Sequence, residues 1–214
     1  MIACGVEDPW LCEDFERADP LSAWEEIKLA GNQVSVQMAD SPTESQVLVA
    51  ETTATAISHV AVIRREVPEA DGATVLAAGS WVNLSPECLG PAHVSVLNLT
   101  LTDLAGGGLA GQLTVWLRAN DGYVFVAPNI PGMTATSFDF AHTVGPDQWH
   151  RLGVVYEPAS GAVALTIDGA SVIDDQATVM LGDPLSVEID GGFSGSGLES
   201  ACRMLQDDIY LAPG

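Results

Sequence analysis

Period two runs through almost the whole chain. Residues 148–169, QWHRLGVVYEPASGAVALTIDG, alternate apolar and polar side chains, turn at Pro-Ala-Ser-Gly, and alternate again into Asp-Gly. Such alternation marks a half-buried strand, because successive Cβ atoms of extended backbone point to opposite faces. Leu152, Val154 and Tyr156 share one face of the first run, and Val163, Leu165 and Ile167 share one face of the second. Both sets can therefore cover the same core. Gly161 and the turn at Pro158 set the register. Trp149, at the start of the run, is expected as a lid on that core rather than as a sugar-stacking platform.

The same period marks the runs QVSVQMA from Gln33, SQVLVAE from Ser45, HVAVIRREV from His59 and TVLAAGSWVNL from Thr74. It continues in AHVSVLNLTL from Ala92, GQLTVWLRA from Gly111, GYVFVAP from Gly122 and TSFDFAHTV from Thr136, and it closes with LSVEIDGG and LQDDIYLA. Between the runs stand DSPT, ADG, LAGGGLAG, ANDG, PNIPG, GPDQ and GDP, each rich in the residues that turns require. In ANDG, Gly122 is expected to take the positive φ of a tight hairpin. The stretch PLSAWEEIKLA, from Pro20 to Ala30, reads as loop and strand in this company, and helix is otherwise scarce. Some eleven or twelve evenly spaced strands predict one all-β domain over residues 1–214, a two-sheet antiparallel jelly-roll sandwich.

Composition agrees. At 214 residues, 47% hydrophobic and 17% charged, the chain has the apolar material for a core. No apolar run approaches the roughly 18 residues of a membrane span. Charge is lopsided, with 29 acidic against 7 basic residues, a net −22 in which Lys28 is the only lysine. Phosphate backbones and anionic lipid are repelled by such a surface, which excludes nucleic acid and direct membrane insertion as partners. The acids are scattered rather than clustered, so they read as a solvated coat; the alternative is a surface that binds cations.

Cys4, Cys12, Cys88 and Cys202 contain no C-x-x-C and lack zinc-site spacing. Two disulfides and an oxidising compartment are expected. Of three possible pairings, Cys4–Cys12 with Cys88–Cys202 is favoured, a short loop at the N-terminal side and a staple across the chain. The location expected is extracellular, cell-surface or periplasmic. The chain carries no export signal of its own, so export implies a leader already removed. An alternative for IACG is a lipoprotein attachment site at Cys4.

The hairpin W-H-R-L-G-V-V-Y-E-P-x-S-G-x-V-x-L-T-I-D-G resembles the penultimate hairpin of the laminin-G-like and concanavalin A-like jelly rolls. LQDDIYL is similar to the last strand of those folds, LCEDFE to the first strand that pairs with it, and GQLTVWLRANDGYVFVA to their central hairpin. The resemblance implies a concanavalin A-like sandwich. It also brings to mind laminarinase-type glycosidases, whose strand Glu-x-Asp-x-x-Glu sets carboxylates on one face of a cleft. VEIDGGF begins that motif with Glu188 and Asp190 and then supplies Phe193, so the acid/base carboxylate is missing and the match is taken as coincidence.

Other chemistry is thin. His59, His93, His142 and His150 show no metal-ligand spacing, and there is no G-x-S-x-G elbow. LAGGGLAGQL lacks the lysine of a phosphate loop. The sequons at Asn83 and Asn98 carry little weight. Jelly rolls of the resembled class often hold a structural calcium between an acid near the first strand and an Asp pair in the last. Here that implies Glu16, with Asp14 beside it, and Asp207 and Asp208; calcium takes six to eight hard oxygens. The function expected is non-catalytic recognition of a glycan or surface protein, no catalytic residue being assigned. Trp81, Trp116 and Tyr123 are the candidate ligand-binding rings, with Trp24 and Phe125 further aromatics. The alternative is a glycoside hydrolase or polysaccharide lyase of the same fold; scarce basic residues argue against a lyase for acidic polymers.

Overall fold

A computed structural model describes residues 3–28, 32–43, 46–52, 58–90, 93–105, 108–118, 121–129, 132–142, 144–181, 185–196, 198 and 201–214. The turn residues 119–120, 130–131 and 182–184, singled out by sequence in ANDG, PNIPG and GDP, lie outside the described residues, as do 106–107 of LAGGGLAG.

The chain forms strands β1 (Leu11–Glu13), β2 (Glu25–Lys28), β3 (Gln33–Met38), β4 (Gln46–Glu51) and β5 (Ser58–Glu66). Next come β6 (Leu76–Leu84), β7 (Val94–Asp103), β8 (Leu109–Leu117), β9 (Asp121–Pro128) and β10 (Thr136–Ala141). The last are β11 (Trp149–Glu157), β12 (Ala162–Ile167), β13 (Ala170–Ala177), β14 (Leu185–Ser196) and β15 (Arg203–Pro213). The first sheet runs β13-β12-β11-β6-β15-β4-β3, with β1 also pairing β15; the second runs β10-β9-β8-β7-β14-β5-β2. All pairings are antiparallel. This is a two-sheet antiparallel jelly-roll sandwich.

Alternation produces the core as expected. Leu152, Val154 and Tyr156 of β11 and Val163, Leu165 and Ile167 of β12 are buried together. They face Leu99, Leu113, Val115, Ile189 and Phe193 of the second sheet in one continuous cluster. Asp168 and Gly169 both adopt positive φ, the signature of the tight hairpin turn that joins β12 to β13. Asp168 then reaches back, its Oδ1 accepting the Arg151 amide at 2.8 Å and its Oδ2 bonding His150 Nδ1 at 2.7 Å. Two disulfides, Cys4–Cys12 and Cys88–Cys202, tie the connections to the first sheet, so Cys4 holds no free thiol for lipid.

Three expectations need correction. Trp149 stands on the outward side of β11, where its indole N–H donates to the Asp40 carbonyl at 2.8 Å, so it holds a loop and not the core. Gly122 lies inside β9 opposite Leu117 without positive φ. It is needed for closeness instead, because a Cβ there would meet the Trp116 carbonyl oxygen at 2.3 Å. Strand β13, absent from the sequence reading, is an edge strand in which only Ile173 is buried, so no alternation announces it.

Candidate functional site

The outward face of the second sheet carries one row of side chains across all seven strands. Register sets it: Glu25 lies opposite Arg64, Arg64 opposite Asp190, Asp190 opposite Asn98, and Asn98 opposite Thr114. Thr114 in turn faces Phe125, and Phe125 faces Ser137. Period two on each strand turns these residues away from the core, whose neighbours Ile63, Ile189 and Val124 point inward.

The middle of the row is a connected polar network. Arg64 clasps Asp190 with two parallel bonds, Nε to Oδ1 at 2.6 Å and Nη2 to Oδ2 at 2.9 Å. This fork geometry is the strongest form of carboxylate recognition, and it raises the guanidinium pKa. Asn98 Nδ2 donates to the same Asp190 Oδ2 at 2.9 Å, and Thr114 donates to Asn98 Oδ1 at 2.7 Å. A hollow of about 220 Å³ opens over this network and is bounded on one side by Trp116.

Trp116 and Tyr123 stand opposite each other on β8 and β9 and stack, with ring centroids 5.9 Å apart and planes at 17°. His93 packs edge-on against Tyr123 at 4.8 Å. These rings line a cavity of about 430 Å³ together with Phe125, Ser137, Asp139 and the ion pair Arg118–Asp121. Burial lowers the His93 pKa, helped by the Arg118 charge, so the imidazole is neutral near pH 7. Burial raises that of the Tyr123 phenol, and Asp139 adds to it. His142 fastens the rim: its Nε2 donates to the Asp121 carbonyl at 2.8 Å while Nδ1 accepts the Val144 amide at 3.0 Å, which defines a neutral tautomer. The Trp116 indole N–H is buried and has no hydrogen-bond partner among the described residues.

The floor of this face is shaped by two bulges. Between Asp190 opposite Asn98 and Ser194 opposite Ser95, β14 holds three residues against two on β7. Between Ser95 and Leu97, β7 skips Val96 in its pairing with β8. Bulges free backbone groups from the ladder, and buried ones must find other partners. Gln206 of the opposite sheet, wholly buried, supplies them: its Oε1 accepts the Gly192 N–H at 2.6 Å and its Nε2 donates to the Val96 carbonyl at 3.3 Å. The same Nε2 donates to Ser80 Oγ at 2.8 Å. Gly192 sits at φ 88°, where a side chain would strike the Ala61 carbonyl oxygen at 2.2 Å.

The sequence candidates divide. Trp116 and Tyr123 share the larger cavity, and Phe125 lines it too. Trp81 stands apart on β6 of the other sheet, stacked beneath the Arg151 guanidinium at 5.6 Å. Trp24 is a core residue whose indole N–H donates to Glu13 Oε2 at 3.1 Å. Glu188 and Asp190 both face outward beside Arg64, whereas Phe193 is buried in the core, so no carboxylate stands at the third position of the motif. Burial raises the Glu188 pKa, reinforced by Asp190, Glu66 and Glu25 against the opposing Arg64. Arg64, Asn98, Thr114 and Gln206 were not singled out by sequence for this role; each is an unremarkable polar position until register aligns it.

Of the calcium candidates, Asp207 and Asp208 lie in β15 of the first sheet and Glu16 in the loop after β1. Asp207 is fully buried, its Oδ1 accepting the Asp208 amide at 2.8 Å and its Oδ2 accepting the Thr43 hydroxyl. Glu16 Oε1 accepts the Gln46 amide at 2.5 Å. Burial pushes the Asp208 carboxyl up to about 6, with the Asp207 charge next in effect. Among the described residues, no three His, Cys, Asp or Glu side chains gather as a metal cluster.

No protein family and no curated protein matches this sequence. Solved structures resemble it in fold. The cellulose-induced protein Cip1 is 12% identical with a TM-score of 0.67, over 95% of this chain and 97% of that one. A conserved carbohydrate esterase from the Shiga toxin-encoding bacteriophage phi24B is 14% identical with a TM-score of 0.55, over 95% and 97%. Botulinum neurotoxin type C, whose cell entry depends on interaction with two ganglioside molecules, is 12% identical with a TM-score of 0.57. There the match covers 89% of this chain, which spans 43% of the toxin chain. At these identities the likeness establishes the β-sandwich fold alone. No helix among the described residues is long and apolar enough to cross a membrane.

Proposed function

We propose that the outward face of the second sheet binds a glycan and that the protein is a secreted or surface recognition domain of the laminin-G-like type. One observation carries the reading: the stacked Trp116–Tyr123 pair opens onto a 430 Å³ cavity that adjoins the Arg64–Asp190–Asn98–Thr114 network. Flat rings take the C–H faces of sugars, while fixed polar groups beside them take hydroxyls. The two disulfides support an oxidising, extracellular setting.

Affinity electrophoresis against hydroxyethyl cellulose, laminarin, xyloglucan and glycol chitosan tests it. Tyr123→Ala is expected to weaken binding roughly tenfold or more, about 1.4 kcal/mol, with unchanged thermal stability. Retardation by none of these polymers, or equal retardation of wild type, Tyr123→Ala and Trp116→Ala, would sink the proposal. The raised Glu188 carboxyl beside Asp190 favours a glycoside hydrolase as the second reading. Product release by wild type that is lost in Glu188→Gln would make the face an active site instead.

A structural calcium is proposed separately. The donors around Asp207 are hard oxygens; Asp207 accepts the Thr43 hydroxyl and Glu16 the Gln46 amide. Glu16, Asp207 and Asp208 would hold the ion, which would offset the repulsion between the two aspartates. Calcium in excess over its Kd is expected to raise Tm by roughly 5–10 °C relative to EGTA, and Glu16→Gln to remove the shift. Identical melting in calcium and EGTA would count against the site.

A further inference from the structure

We propose that the glycan bound on this face is cationic, a chain of amino sugars carrying free ammonium groups. The inference rests on the glycan reading above and narrows it.

The cavities on this face are not separate. The larger shares Trp116 with the hollow over the polar network, and that hollow shares Arg64 with a third recess of about 360 Å³ beside Glu25, Glu66 and Glu188. Together they form one groove running across the strands from β10 to β2. Six strand spacings of about 4.8 Å make it roughly 29 Å long. A groove of that length suits a stretch of polymer, not a single sugar.

Charge selects the polymer. The three guanidinium groups along the groove each have a carboxylate neighbour, Arg118 with Asp121, Arg64 with Asp190 and Arg65 with Glu13. None stands free for an anionic sugar. Carboxylates outnumber them along the groove, with Asp121, Asp139, Asp190, Glu25, Glu66 and Glu188. At one end Asp139 is exposed beside Tyr123 with no hydrogen-bond partner among the described residues. At the other, Glu66 lies directly opposite Glu188, a like-charge pairing that costs stability in a sheet, and Glu25 adjoins them. Arg65 lines that recess as well, and lies 4.0 Å from Glu13 behind it; Arg64 reaches Glu188 at 3.6 Å. A neutral chain would cover these carboxylates and strip their water without replacing it, which is unfavourable. Ammonium groups recurring along a chain would neutralise both ends.

The aromatic end agrees. An ammonium over the face of Trp or Tyr is attracted by the ring quadrupole, most strongly when water is excluded. Trp116 and Tyr123 present such faces with Asp139 beside them. At net −22 the whole protein also concentrates polycations near its surface.

Calorimetry on the intact, disulfide-bonded protein tests this with four probes: the hexamer of glucosamine, the hexamer of N-acetylglucosamine, cellohexaose and an alginate hexamer. At about pH 6, where carboxylates and amines are both charged, the glucosamine hexamer is expected to bind at least about tenfold tighter than the others. Its advantage is expected to shrink as salt is raised. Asp139→Asn and Glu66→Gln, both at exposed positions, are each expected to weaken the glucosamine hexamer several-fold and to narrow its margin over cellohexaose. Cellohexaose or acetylated hexamer binding as tightly as the amine overturns the cationic assignment while the glycan reading stands. A preference for alginate does the same. Binding of none of the four overturns both.

Discussion

Gln206→Leu is expected to destabilise the protein by roughly 3–5 kcal/mol, since each buried polar group left without a partner costs about 1–3 kcal/mol. Three groups lose their partner: the Gly192 N–H, the Val96 carbonyl and the Ser80 hydroxyl. Leucine fills similar volume, so the loss reports hydrogen bonding and not a cavity. Because the two backbone groups belong to adjacent bulges, their release also loosens the register that separates Asp190 from Ser194. Glycan affinity is therefore expected to fall together with stability. Urea unfolding with tryptophan fluorescence measures the first, and a shift below about 1 kcal/mol would mean the bulges hold themselves.

Removing Cys88–Cys202 is expected to cost about 4–5 kcal/mol, and removing Cys4–Cys12 about 2–3 kcal/mol, from the loop-length dependence of chain entropy. The bonds close sequence separations of 114 and 8 residues. The long one ties the turn after β6 to the start of β15, and both its cysteines are fully buried. Around it, the Cys202 amide donates to Thr52 Oγ1 at 2.9 Å, so the staple holds the entry to β15 against β4 as well. The paired alanine variants, compared in urea, give the two costs directly. Equal costs would show that loop length is not what governs them, and that native contacts around each bond decide instead.

The architecture was legible because it rests on a local rule. Leu152, Val154 and Tyr156 had to share a face whatever strand they paired with, and the Asp168-Gly169 turn followed from residue type. The rule failed where burial on both sides is one-sided or absent. In β13 only Ile173 is buried, so its acids gave no alternation, and charge there protects an open edge. Trp149 shows a second limit. Alternation assigns a side chain to one of two faces but says nothing of which is core, and Trp149 points outward on the first sheet.

The site was half legible. Trp116 and Tyr123 were recognisable as candidate platforms from residue type, and the structure stacks them in a cavity. Glu188 and Asp190 looked like a chance match to a catalytic strand, yet both line the groove, Asp190 as the anchor of the Arg64 network. No spacing in the sequence links Arg64, Asn98, Thr114 and Asp190. They meet because four strands are paired in one register.

By itself the sequence determined most of the strands, the Asp168-Gly169 turn and the two-sheet class, since period two is imposed on each segment by its own backbone stereochemistry. Only the tertiary structure decided which outward face became a groove. That depends on cross-strand register and on the paired bulges held by Gln206 from the opposite sheet, and both are contacts between residues far apart in the chain.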